Sequence, residues 1–90
     1  MSVRIKIYDA YQQATGGEKV VSVEGRTVRE CFESLVKKYP DMWKFIYDGE
    51  DFVCPHLLIS LNGTIIDHDN LDMPVKDSDE IFPLVMIAGG

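Results

Sequence analysis

Val3, Ile5 and Ile7 alternate with Arg4, Lys6 and Tyr8, the period-two pattern of a strand with one buried face, and predict a strand over residues 3–8. Residues 9–17 show neither helical nor strand periodicity and end in Gly16-Gly17, so they read as a loop. A second strand over residues 18–23 then pairs antiparallel with the first. After Gly25-Arg26, Thr27 is placed to cap a helix, with Glu30 three residues on reaching back as in a capping box. Val28, Cys31, Phe32, Leu35, Val36 and Tyr39 follow at i, i+3, i+4 spacing and form one apolar stripe. Lys37 and Lys38 suit the negative end of the helix dipole, and Pro40 prevents continuation, which predicts a helix over residues 28–39.

Residues 41–47 read as a short second helix, with Trp43 and Phe45 or Ile46 packed on the core. Asp48, Gly49, Glu50 and Asp51 form a polar turn, and Pro55 interrupts any central strand over residues 52–56. Residues 57–61 are a strand, and Asn62-Gly63 is a type I′ hairpin signal because both positions of that turn need positive φ. The chain returns over residues 64–66, pairing Leu61 with Thr64, Ser60 with Ile65 and Ile59 with Ile66. Residues 67–78 are acidic and turn-rich, and residues 81–86 make the last strand. One amphipathic helix in a β-β-α-β-β-β order covers only one face of a sheet. Yet in the last strand both alternating sets are apolar: Ile81, Pro83, Val85 and Ile87 on one side, Phe82, Leu84 and Met86 on the other. We assign the odd-numbered set to the helix side and the even-numbered set to an open face, extended by Tyr8 and Ile65. Apolar surface of that extent usually marks an interaction site. The competing expectation is that the short helix or the 9–17 loop folds over it.

Ninety residues suffice for one modest core and no second domain. The net charge of -6 argues against nucleic acid, whose phosphates call for clustered Lys and Arg. Residues 1–40 hold seven Lys or Arg against five Asp or Glu, whereas residues 41–80 hold two against ten, so an acidic face is expected, either solubilising or steering a basic partner. No apolar run approaches the roughly 20 residues of a membrane span and no signal peptide precedes Val3, which implies a cytoplasmic protein without membrane partners. Cys31, inside the helical stripe, reads as a small core residue. Cys54, His56 and His68 do not have zinc-site spacing, and nothing nearby marks Cys54 as a nucleophile, so no metal is expected.

The sequence closes on Ile87-Ala88-Gly89-Gly90. Two residues without Cβ can enter a slot too narrow for side chains and leave a carboxylate unhindered. Gly25-Arg26-Thr27-Val28-Arg29-Glu30, Lys38-Tyr39-Pro40, Leu61-Asn62-Gly63, Asp79-Glu80-Ile81 and Gly89-Gly90, in this order, resemble the ubiquitin-like sulfur carriers (the MoaD/ThiS family), among which are the small subunit of molybdopterin synthase and its thiamine-pathway counterpart. The resemblance implies an α+β, β-grasp fold: a mixed sheet of about five strands around one main helix over residues 1–86, with a flexible diglycine tail at residues 87–90. It implies that Gly90 is the reacting residue, its carboxylate adenylated and converted to a thiocarboxylate, with Tyr8, Ile65, Phe82, Leu84, Met86, Ile87, Ala88 and Gly89 as partner contacts. Such a chain is a protein co-substrate rather than an enzyme. It binds no cofactor; the ATP is used by its activating partner. The implied partners are an E1-like adenylating enzyme, a sulfurtransferase or persulfide donor, and a sulfur-accepting biosynthetic enzyme like the large subunit of molybdopterin synthase. Small subunits of that synthase commonly carry a proline pair before the tail, where this chain has Val85-Met86, so tungsten-cofactor, cysteine and thiamine routes stay open. Two alternatives from other classes remain: a ubiquitin-like modifier joined to lysine through Gly90, and a β-grasp interaction module.

Overall fold

The stripe that begins after Gly25 forms the helix on which the sheet packs. In a computed structural model, which describes residues 1–47 and 53–85, this helix is α1, Val28–Lys38. Thr27 Oγ1 accepts from the Glu30 N–H at 3.1 Å, and Glu30 Oε1 accepts from the Arg26 N–H at 3.1 Å, one residue further back than in the standard capping box. Gly25 is required at the entry by close packing: a Cβ there would lie 2.8 Å from Cys31 Sγ and 2.9 Å from the Cys31 nitrogen. Val28, Cys31, Phe32 and Leu35 are fully buried, which bears out the stripe and the core reading of Cys31.

The sheet has five strands in the order β2-β1-β5-β3-β4, with β1 (Ser2–Lys6), β2 (Val20–Glu24), β3 (Leu57–Leu61), β4 (Thr64–Ile66) and β5 (Glu80–Val85). β1 lies parallel to β5 and antiparallel to β2, while β3 is antiparallel to both β4 and β5. This is the mixed β-grasp sheet that the resemblance implied. Asn62 and Gly63 adopt φ of 52° and 87°, and the three β3–β4 pairs have the expected register. Asn62 also does what a hairpin turn does not require. Its side chain donates to Asp79 Oδ1 at 3.0 Å and accepts from the Glu80 N–H at 2.9 Å, tying the turn to the start of β5.

Two expectations are corrected. Residues 9–17 are not an irregular loop: Asp9–Thr15 is a 3₁₀ helix with Tyr11 and Thr15 buried. A helix with three residues per turn produces no 3.6-residue stripe, so its burial depends on tertiary contacts such as the Tyr11 ring stacked on Phe45 at 4.4 Å. The short helical region is present, as a 3₁₀ turn Pro40–Met42 followed by α2, Trp43–Ile46, but Trp43 is not in the core. Met42 and Ile46 are buried there, Phe45 is half-buried, and Trp43 stays exposed with its ring 6.2 Å from Tyr47. The polar turn at residues 48–51, the adjoining Phe52 and the tail from Met86 lie outside the described residues.

Candidate functional site

β5 is the strand that leads to the tail, and its side chains from Ile81 to Leu84 divide as the sequence predicted. Ile81 and Pro83 are buried on the helix side, and Phe82 and Leu84 are half-buried on the opposite side. Register places the rest of that second face. Phe82 lies opposite Ser60, which lies opposite Ile65; Leu84 lies opposite Leu58; Arg4 lies between Ser22 and Glu80; Lys6 lies opposite Val20. Continuing the β1–β5 register by one pair sets Lys6 beside Phe82, and its Nζ stands 5.2 Å from the Phe82 ring centroid. The surface runs from a polar end, where Arg4 and Glu80 meet loosely at 4.0 Å, to an apolar end at Leu58 and Leu84, where β5 leads to the tail.

Neither the Asp9–Thr15 helix nor α2 covers this face. Both pack on the core side, through Tyr11 and Ile46, and Ile65 remains 60% exposed, Tyr8 43% and Leu58 36%. The structure therefore brings Ile65, Phe82 and Leu84 onto one surface, with Tyr8 past the end of β1, where its ring meets Tyr11 edge-on at 5.9 Å. Met86, Ile87, Ala88, Gly89 and Gly90 fall outside the described residues. Sequence reasoning missed Leu58, Val20 and Lys6. The signal was there: Leu57-Leu58 is apolar on both faces of β3 just as β5 is, and alternation through Ile5 and Ile7 already set Lys6 on the open side.

No other region of the described structure has an arrangement suited to chemistry. A recess of about 690 Å³ between α1 and the Trp43–Tyr47 pair is lined by Glu30, Glu33, Arg29 and Lys37 among others, but by no residue of β5. Arg29 is bound to Asp72 at 2.9 Å, and burial, then the charge of Glu33, pushes the Tyr47 hydroxyl up. Burial pushes the Cys31 thiol up to about 11, so it stays protonated and inert. His68 Nε2 lies 2.6 Å from the Leu57 carbonyl, a structural bond beside β3. Among the described residues no group of three or more His, Cys, Asp or Glu side chains could hold a metal, and no helix is long and apolar enough to cross a membrane.

The comparisons bear on the same fold. The small archaeal modifier protein 1 (SAMP1) of Methanosarcina acetivorans is 30% identical with a TM-score of 0.87, over 99% of this chain and 96% of that one. A chain of the Amycolatopsis orientalis BexX/CysO complex is 26% identical with a TM-score of 0.86, over 98% and 99%. SAMP1 of Haloferax volcanii, at 19% identity and a TM-score of 0.85 over 100% of both chains, shares the fold. Comparison with curated proteins gives no match. The model of the ThiS family matches residues 5–90, from the end of β1 through the helix and the remaining strands to the tail, and the chain belongs to that family of ubiquitin-like sulfur carriers.

Proposed function

We propose that the chain carries sulfur on the carboxylate of Gly90. A carboxylate resists nucleophiles because it is anionic, and the remedy is to give it a leaving group. An E1-like adenylating enzyme would join Gly90 to AMP with release of pyrophosphate. Sulfide would then attack the acyl carbon and expel AMP, leaving a thiocarboxylate; a persulfide donor would give an acyl disulfide that a thiol reduces to the same product. The sulfur passes to a biosynthetic enzyme, with molybdopterin synthase as one acceptor of the right kind. The chain supplies the reacting group and the docking surface, and the ATP chemistry belongs to the activating partner.

One observation carries this reading: the apolar face is open, and the strand that forms its middle, β5, leads to the diglycine tail within five residues. Five residues reach at most about 18 Å. A partner seated on Phe82 and Leu84 therefore holds Gly90 within one active-site depth of the contact. Burying such side chains contributes about 1.5–3 kcal/mol each, before the entropy of association is subtracted. The test is ATP–pyrophosphate exchange by the adenylating enzyme of the same genome. Exchange should depend on the chain and disappear when Gly89 and Gly90 are deleted; exchange that survives the deletion contradicts the reading.

Conjugation to lysine is the second reading, and a specific similarity favours it: the 30% identical protein is named a modifier. The acyl adenylate is common to both fates. A sulfur nucleophile leads to carriage and a lysine amine to conjugation, so the two separate only by the product.

A further inference from the structure

We propose that the partner received by the open face presents a single carboxylate to Lys6, and that this contact sets which partners seat and which way round. The inference rests on the docking reading above and goes beyond it by giving the partner's chemistry. The ion pairs among the described residues are Arg4 with Glu80, Arg29 with Asp72 and the amino terminus with Glu24, and of the cations outside them Lys6 is set apart by its place over Phe82 on the open face. Lys6 pairs with no carboxylate among the described residues, and its Nζ stands 5.2 Å from the centroid of the Phe82 ring. The ammonium therefore stands over the apolar patch itself, between Val20 on β2 and Phe82 on β5.

A partner that covers Phe82 and Leu84 removes water from this ammonium. Left uncompensated, a charge in that position opposes binding; met by a carboxylate, it becomes a charge-assisted pair and a filter against partners that lack one. The need is local. The chain as a whole carries -6, so a broadly acidic partner surface would be repelled, and one carboxylate inside an apolar patch satisfies Lys6 without that penalty. Position gives the contact its orienting role. Lys6 lies on the β1 side of the Phe82–Leu84 line, and Leu58 and Ile65 lie on the other, so a carboxylate at one edge of the partner's patch fits in one orientation, with the tail leaving from the end of β5.

The experiment is calorimetric binding of the full chain to the purified adenylating enzyme of the same genome. It compares the wild type with Lys6→Met, Lys6→Arg, Lys6→Glu and Leu84→Asp, each first checked for unchanged thermal unfolding. Methionine keeps the apolar stem over Phe82 and removes the charge. Lys6→Met should weaken binding by about ten-fold or more, Lys6→Glu further, and Lys6→Arg by no more than about three-fold. Lys6→Met binding as well as or better than the wild type, while Leu84→Asp loses binding, would overturn this inference and leave the docking reading standing. Leu84→Asp binding like the wild type, or a wild type that does not bind, overturns both.

Discussion

In the middle of the sheet, along β5 and at Leu57-Leu58, the two faces are both apolar and have different fates. On the helix side, Ile59 and Ile81 are completely buried, whereas their strand neighbours on the other side, Leu58 at 36% exposed and the half-buried Phe82, have no helix of the described chain over them. At these positions the difference is a matter of what lies on each face, not of residue type, whereas the open side of β1 and β2 is polar apart from Val20. One face meets α1, fixed by a capped N-terminus and a stripe of four buried side chains. The other is finished only when something else arrives. Substitutions should therefore divide cleanly: the covered face governs stability, and the open face governs association.

The largest contrast should come from Phe32 and Leu84. Phe32→Ala opens a cavity in the fully buried core and should lower unfolding free energy by about 3–5 kcal/mol in urea denaturation. Leu84→Asp should change it by less than about 1 kcal/mol while abolishing partner binding. Equal losses of stability from the two would erase the distinction. Next is Gly25→Ala, which forces a methyl group into Cys31 at 2.8 Å and should cost about 1–3 kcal/mol by the same assay. Thr27→Ala removes the cap of α1 and should cost about 1 kcal/mol, with no effect on binding at the open face. Smallest is a pH effect at the Asn62–Asp79 clamp. The hydrogen bond from Asn62, and then that from the Lys76 N–H, hold the Asp79 carboxyl below its ordinary value of 3.8. Its native state thus binds fewer protons than the unfolded chain as pH falls through that range. The contribution is present above the unfolded value and is lost as pH falls through the lower folded one. Asp79→Asn should flatten that part of the acid-unfolding curve measured by circular dichroism.

Much of this division was legible in the sequence because it was written in local periods. Alternation through Val3, Ile5 and Ile7, the stripe from Val28 to Leu35, and Asn62-Gly63 each specify geometry within a few residues, and each is present as read. The double apolarity of β5 likewise announced a second face. What could not be read locally is what long-range packing decides. The parallel pairing of β1 with β5 joins strands more than seventy residues apart, and no period within either strand encodes it. Tyr11 and Thr15 are buried because the Asp9–Thr15 turn packs on the Pro40–Met42 region, a contact invisible in their own spacing. Trp43 is the converse case. Its size suggested the core, but Met42 and Ile46 take the inward positions of that turn, and the indole is left against Tyr47.

The central claim concerns the far end of the open face, where β5 leads to Gly90. Its most direct test is the intact mass of the chain after incubation with ATP, the adenylating enzyme of the same genome and a sulfide or persulfide source. The account predicts replacement of one oxygen by one sulfur, localised by fragmentation to the Gly90 carboxyl and missing when Leu84→Asp prevents docking. Lysine-linked adducts in place of that exchange would contradict sulfur carriage and establish conjugation, and a mass unchanged under all these conditions would contradict both.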